Sequence, residues 1–385
     1  MGKASIVLWS GKAWESWGPS SISTGIGGSE TAVIQMAKFL VLLGHDVRVI
    51  GDHEGYEGLN DGATWIHYEK ALEDLKLLEC DVLVSSRDKR VVRLIGKLPA
   101  GAVKKTILWV HDIHCGDDWE LDLKKFDKFF CLSNYAKKTF RSYYPYVPSE
   151  NVVVTRNGLD PTRFSEERLN KVRAEYPKLP RFTFSSSPDR GLDVLLGVWP
   201  RIRQIRNDAE LHVYYGFKIW EKMVENLKEV AGRNKQNALK LEYLKSRVMS
   251  QEHNGVFYHD RVGQQELADS YLASAVWAYP TAFMETYCIT ALEAQAAMAT
   301  PVTTAIGALN ETVQHGFLIP PPNVSREYQD EFIHKIEALL VSNEDGYVTD
   351  MTARGRQWAL TQTWESLASE WSAMFEQFLI EGKPL

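Results

Sequence analysis

The sequence predicts an α/β fold built as two doubly wound, Rossmann-like domains in series, on three observations. Short apolar runs rich in Val, Ile and aromatics alternate with helical patterns from end to end, the signature of βαβ units and of a parallel sheet covered on both faces. The alternation restarts after a polar, proline-bearing stretch at 160–180 (DPTRFSEERLNKVRAEYPKLP). Finally, 385 residues, 44% hydrophobic and 24% charged, suffice for two full cores at ~100–200 residues per domain. Disorder, collagen-like repetition and a disulfide-stapled miniature are excluded by the same composition.

In the first domain SIVLW (5–9) reads as a buried strand. Ser29 then caps a helix whose Ala32, Val33, Met36, Ala37, Leu40 and Leu43 keep the 3.6-residue period up to Gly44,. DVRVI (46–50), TWIHY (64–68), DVLVSS (81–86), KTILWVHD (105–112) and DKFFCLS (127–133) follow as strands, with helical stretches near 71–79, 88–97 and 134–143. Beyond the polar stretch, RFTFSS (181–186), LHVYY (211–215), GVFYH (255–259), AVWAYP (275–280), PVTT (301–304) and FLIP (317–320) supply the second sheet. Residues 218–250 read as a helical insertion of alternating charge, whose plainest reading is solvated helices,. Segment 363–380 sets Trp364, Leu367, Trp371, Met374, Phe375 and Leu379 on one helical face, which must dock on something apolar,. The expected division is therefore 1–170, 171–362, and a C-terminal helix 363–385 crossing back onto the first domain.

Four cysteines (Cys80, Cys115, Cys131, Cys288) lie far apart without a C-x-x-C, so a reducing cytoplasm is expected, with neither zinc ribbon nor disulfide framework. MGKASIVLW has none of the regions of a signal peptide, Ile6 breaks the myristoylation pattern, and no run of 18 apolar residues occurs,.

The densest chemical signal is YPTAFMETYCITALEAQAAMATPVTT, residues 279–304. A strand ends at Pro280, a loop carries Glu285, and a helix opens near Ile289 and continues through Glu293. The amide groups and positive dipole end of such a helix start form an anion site, suited to a diphosphate. Glu293, one turn in, is placed to accept hydrogen bonds from a diol such as ribose. Taken alone, the two glutamates fit solvent-facing positions as well.

Glu285 and Glu293, separated by seven residues and followed by AQAAMATPV, resemble the E-x7-E signature of the retaining glycosyltransferases of family four, which have the GT-B fold. GIGGSE (25–30) resembles that family's glycine-rich loop, WVHD (109–112) its histidine-bearing strand end, and NGLDPTRF (157–164) its N-G-x-D-x-x-x-F element. SSSPDRGLDVLL (185–196) and RVGQQELADSYLASAVWAYPT (261–281) resemble its phosphate loop and the approach to its nucleotide pocket. The resemblance spans nearly the whole chain and implies two Rossmann-like domains facing a central cleft. It implies that Glu293 binds the donor ribose, that Glu285 faces the sugar hydroxyls, and that the amides of Tyr287, Cys288 and Ile289 cradle the diphosphate. Arg190 would neutralise the leaving group, Gly27 and Gly28 would let the backbone approach the donor, and His111 would lie near sugar and acceptor. No obligatory cofactor or metal is implied; a UDP-sugar is the favoured donor, with GDP- and ADP-sugars open.

One departure matters. The family's arginine five residues before Arg190 is here Ser185, and Lys218, just beyond a strand end, is the candidate substitute, the alternative being that it merely begins a solvated helix. The loop GKAWESWGPSSISTG (11–25) is long for a βα connection,; Trp14 and Trp17 either form a stacking platform for an acceptor, with Asp112 nearby, or pack as a lid. His111, Asp112, His114, Cys115, Asp117 and Asp118 are dense in ligating types but match no zinc spacing,. A nicotinamide oxidoreductase is disfavoured because Glu30 occupies the third glycine of G-x-G-x-x-G,; a nucleotide-sugar epimerase and a non-catalytic binding protein remain as rivals.

The acceptor expected from the resemblance is a saccharide or lipid-linked saccharide. Net charge is −6, yet residues 85–141 hold 13 Lys and Arg against 7 Asp and Glu. This island opens two alternatives, a modified base in DNA and an anionic membrane surface touched peripherally near Phe140, Tyr143 and Tyr144. A solvated helical face is the simpler account of it.

Overall fold

The computed structural model describes residues 3–113, 120–176, 180–226, 233–341 and 347–380. The chain forms two compact units: residues up to Ile22, Ile26–Gly158 and those from Gln362 make the first, and Ser23–Gly25 with Leu159–Thr361 make the second. Residues 159–170, expected in the first domain, thus group with the second unit.

The first unit is an eight-stranded sheet in the order β3-β4-β2-β1-β5-β6-β7-β8. Its strands are β1 (Ser5–Gly11), β2 (Asp46–Gly51), β3 (Gly58–Asn60), β4 (Ala63–His67), β5 (Cys80–Ser86), β6 (Val103–Val110), β7 (Lys128–Cys131) and β8 (Val152–Val154). All pairings are parallel except β3 with β4. Parallel strands buried on both faces are written as unbroken apolar runs, and Ile6, Val7, Leu8 and Trp9 are accordingly all buried. The helix Trp364–Ile380 belongs to this unit. Trp371 packs edge-on against Trp109 at 4.6 Å and Phe130 at 4.9 Å, while its indole N–H donates to Thr155 Oγ1 at 2.9 Å. Burying Trp371, Phe375 and Leu367 there contributes about 1.5–3 kcal/mol per side chain.

The second unit is a six-stranded parallel sheet, β11-β10-β9-β12-β13-β14. Its strands are β9 (Arg181–Phe184), β10 (Glu210–Tyr214), β11 (Val256–Asp260), β12 (Val276–Tyr279), β13 (Thr300–Thr304) and β14 (Phe317–Ile319). The α/β expectation of two doubly wound, Rossmann-like parallel sheets is met.

Local readings need correction. The first helix runs Gly28–Leu42 with Gly27 as N-cap, not Ser29. The stretch 71–79 is a helix Tyr68–Glu73 followed by a 3-10 turn Leu75–Leu78, and 88–97 shrinks to Val91–Ile95. The polar stretch 160–180 contains a 3-10 turn Pro161–Phe164 and a helix Glu166–Glu175. The insertion resolves into helices Lys218–Asn226 and Arg233–Met249; Leu244 and Val248 are buried, so the second of these is packed rather than wholly solvated.

Candidate active site

In the second unit the strand order reverses between β9 and β12: β10 and β11 continue to one side, β13 and β14 to the other. Loops leaving the carboxyl ends of two such strands diverge and leave a crevice, where ligands bind in open α/β sheets. The loop after β9 carries Arg190 and the loop after β12 carries Glu285. Two glycines let these loops close in. Gly191 has φ +105° and passes so near the end of β12 that a Cβ would lie 2.3 Å from the Pro280 carbonyl oxygen. Gly307, φ +56°, lies against the backbone of Glu285 itself, where a Cβ would meet the carbonyl oxygen at 2.8 Å.

Glu285 is buried and accepts two hydrogen bonds on Oε1, from Arg190 Nη1 at 3.1 Å and from the Tyr279 hydroxyl at 2.6 Å. Its carbonyl accepts from Ala308 N at 2.9 Å, which fixes the loop. The Arg190 guanidinium also lies over the Phe283 ring at 3.7 Å. Burial works against the Arg190 charge, but Glu285 and then Tyr279 outweigh it and raise its pKa, so the cation is permanent. Burial raises the Tyr279 hydroxyl far up, with the Glu285 charge adding to it, so Tyr279 is a proton donor throughout.

The helix Ile289–Ala296 opens immediately after this loop, with Cys288 as N-cap at φ +79°. No side chain caps that end and no acidic residue stands in its first turn. Cys288 Sγ lies 3.3 Å from Thr290 Oγ1, and burial with the neighbouring Glu285 charge pushes its thiol pKa up, which keeps it from acting as a thiolate. Tyr287 is buried beside it. Glu293, one turn further, is buried; burial lifts its carboxyl to about 7 against the pull of Arg163, whose Nη1 is 4.0 Å from Oε1.

Arg190, Glu285, Tyr287, Cys288, Ile289 and Glu293 thus share one edge of one sheet. Ser185 is buried and bonded to the Tyr271 hydroxyl. Lys218 follows β10, is 79% exposed, and pairs with Asp260 at 3.5 Å. Tyr279 and Arg163 escaped sequence reasoning; Tyr279 ends a strand where an apolar residue would read the same, and Arg163 sat within NGLDPTRF without a partner to mark it.

The first unit reverses its order between β1 and β5. Gly27 and Gly28 follow β1, and a Cβ on Gly27 would come 2.4 Å from Glu30 Oε2. Arg87 follows β5 at φ +69°; its Nε donates to Asp112 Oδ2 at 2.6 Å and its Nη1 to Ser29 Oγ at 3.2 Å. Burial, with the Arg87 cation behind it, pushes His111 down to about 3, and its ring lies 4.5 Å from that of Trp109. The two tryptophans of the long loop part company. Trp14 is 55% exposed, whereas Trp17 is buried, edge-on to His53 at 4.6 Å and Trp65 at 5.9 Å, so Trp17 packs and only Trp14 is presented.

His114, Cys115, Asp117 and Asp118 lie outside the described residues. Among the described residues no group of three or more His, Cys, Asp or Glu could hold a metal ion, and no helix is long and apolar enough to cross a membrane. Much of the basic island is engaged internally. Lys89 and Lys105 are buried, Arg87, Arg90, Arg93 and Lys104 pair with Asp112, Asp88, Asp122 and Asp81, and Lys124 and Lys128 lie over Tyr146 and Phe378.

Residues 181–341 match the family model described as "Glycosyl transferases group 1". No curated protein matches the chain in sequence. Among solved structures the chain is similar to a glycosyltransferase from Rickettsia africae (TM-score 0.72, 16% identity, 98% of this chain and 99% of that one). It is also similar to sucrose-phosphate synthase from Thermosynechococcus elongatus (0.72, 15%, 98% and 100%) and to Anabaena HepE in complex with UDP and glucose (0.68, 14%, 97% and 100%). The whole chain has the GT-B fold of these glycosyltransferases, and its second unit carries the match to the group 1 family model.

Proposed function

We propose that this protein is a retaining glycosyltransferase that moves a sugar from a nucleotide-diphosphate sugar to a hydroxyl acceptor, a saccharide or lipid-linked saccharide. The observation that carries the reading is the Arg190–Glu285 pair at the β9/β12 switch point, its carboxylate buried and its guanidinium half-buried, set beside an uncapped helix N-terminus. Glycosyl transfer builds negative charge on the departing diphosphate and positive character at the anomeric carbon, and preorganised electrostatics is the main lever a protein has on both. Arg190, the amides of Tyr287, Cys288 and Ile289 and the helix dipole address the first need, with Lys218 as a second cation in place of the arginine absent at Ser185. The Glu285 carboxylate, held by Tyr279, faces the sugar, and Glu293 accepts from the ribose diol.

Retention proceeds by a front-face route: the leaving diphosphate takes the acceptor hydroxyl's proton as that oxygen bonds to the anomeric carbon. His111, neutral near pH 7, then positions or polarises rather than deprotonates, with Asp112 and Trp14 on the acceptor side. The HepE complex with UDP and glucose supports a UDP-sugar as donor; GDP- and ADP-sugars are the comparison set. The test is a donor screen by nucleotide release, with and without oligosaccharide, lipid-linked and DNA acceptors, in chelator and in magnesium. Acceptor-dependent release with retained anomeric configuration supports the reading; donor consumption without acceptor and without hydrolysis would indicate an epimerase.

A further inference from the structure

We propose that Arg163 is a positioning residue for Glu293, holding the charge and the aim of the carboxylate assigned above to the donor ribose; the inference rests on that assignment. Arg163 sits in the 3-10 turn Pro161–Phe164, which Asp160 opens by accepting from Thr162 N at 3.0 Å. Its side chain is buried, with Nε 3.5 Å from Asp160 Oδ2 and Nη1 4.0 Å from Glu293 Oε1. The turn is lashed to the far end of Glu293's own helix by Arg356 of the helix Tyr347–Ala359. Arg356 donates to the carbonyl of Phe164 at 2.7 Å, to that of Ala296, and to Glu166 Oε1 at 3.0 Å. These bonds tie the backbone that carries Arg163 to the helix that carries Glu293.

Among the described residues, few charged or titratable groups face Glu293. Arg163 and Asp160 approach from the turn, and the Tyr271 phenol from the helix Gln264–Ala273; Arg356 is committed to the three acceptors just named. Burial raises the carboxyl to about 7, Arg163 pulls it down and Asp160 lifts it. An ionised carboxylate offers both oxygens as acceptors to a 1,2-diol, whereas a protonated one spends an oxygen as donor. Arg163 sits outside the matched family segment 181–341.

The experiment compares the full-length protein with R163M, R163K, E293Q and R163M/E293Q in thermal melts at pH 5.5 and 8.5. At pH 5.5 Glu293 is protonated, and R163M loses only packing and its Asp160 contact. At pH 8.5 it also strands a buried charge, so its Tm should fall by ~2–5 °C more than at pH 5.5. R163K should recover part of that excess, and in the E293Q background the excess should vanish. Equal losses at both pH values, or an excess that survives E293Q, would overturn the proposal and leave Arg163 a packing residue. A second arm titrates UDP-glucose, whose diphosphate does not change protonation in this range. Wild type should bind more tightly as pH rises through about 7, and R163M should lag it about fivefold at pH 7 for a pKa raised by one unit, with the gap closing by pH 8.5. If the melts behave as stated while no variant binds UDP-glucose, the Arg163–Glu293 coupling stands and the UDP-sugar reading fails.

Discussion

The Arg190–Glu285 pair joins a half-buried guanidinium to a buried carboxylate, so what it does for stability differs from what its loss would do. Two charges taken out of water recover the cost only through mutual attraction and hydrogen bonds, and removing one strands the other. Arg190→Met should accordingly show two separable effects. The protein should lose ~1–3 kcal/mol, read in urea titrations, because Glu285 keeps only Tyr279. Turnover should fall ~10²–10³-fold, since a preorganised charge is lost where negative charge develops. Arg190→Lys should restore most of the stability and part of the rate. Lys218 is the opposite case: its exposed ammonium is loosely held, and Lys218→Ala should leave the melt unchanged while raising the donor KM several-fold. An unchanged KM would reduce it to the first residue of an insertion helix. At this scale the sequence was legible where the chemistry is local: Glu285, Cys288 and Glu293 share one loop and one helix turn. Arg163 was not, because its partner lies far along the chain and only the fold brings them together.

Elements were legible in proportion to how much of them is buried. The central strands β1, β5, β6 and β12 carry unbroken apolar runs and read directly, as does β9 (RFTF) from its two buried phenylalanines. β3, wholly exposed in the sequence GLN, has no periodicity to read, and β8 is only three residues. The helix Glu166–Glu175 buries just Leu169 and Val172, so its polar surface shows no apolar period although Ser165 caps it through Arg168 N. What no pattern announced is the closeness of the loops at the second switch point, which depends on Gly191. Gly191→Ala would add a methyl against the Pro280 carbonyl at a φ that L residues avoid,. We expect a loss of ~1–3 kcal/mol from backbone strain. The rate loss should be larger than that stability loss explains, because Arg190 would be pushed from Glu285. Equal rates for folded mutant and wild type would mean that the two loops need not approach for chemistry.

At the scale of the molecule, the uneven charge first suggested a polyanion-binding face, but most of those cations are spent on local carboxylates, rings or burial. Titration is where the two units differ as wholes. In the first unit His53 is buried against Trp17 and Trp65, its pKa pushed down to about 4; burial also lowers His45, and His111 falls to about 3. An imidazole whose folded pKa lies below 6.5 takes its proton more readily in the unfolded chain, so its stability is intact above about 6.5 and is lost as pH falls toward the folded value. In the second unit His212, lowered to about 4, and His259 act in the same direction. Glu293 opposes them: its raised pKa means the folded state holds that proton more tightly, so its contribution is full below about 4.5 and is lost as pH rises through about 7,. Between pH 7 and 5, where ordinary carboxylates stay ionised, the shifted groups among the described residues give the first unit only losses and the second losses offset by a gain. Acidification should therefore loosen the first unit first. Limited proteolysis at pH 7 and pH 5, with the cuts located by mass spectrometry, should show new early cleavage within 3–158 while 181–341 stays resistant. His53→Gln should blunt that sensitivity and E293Q should bring the second unit's forward; first cuts in the second unit of the wild type would contradict the assignment of these protons.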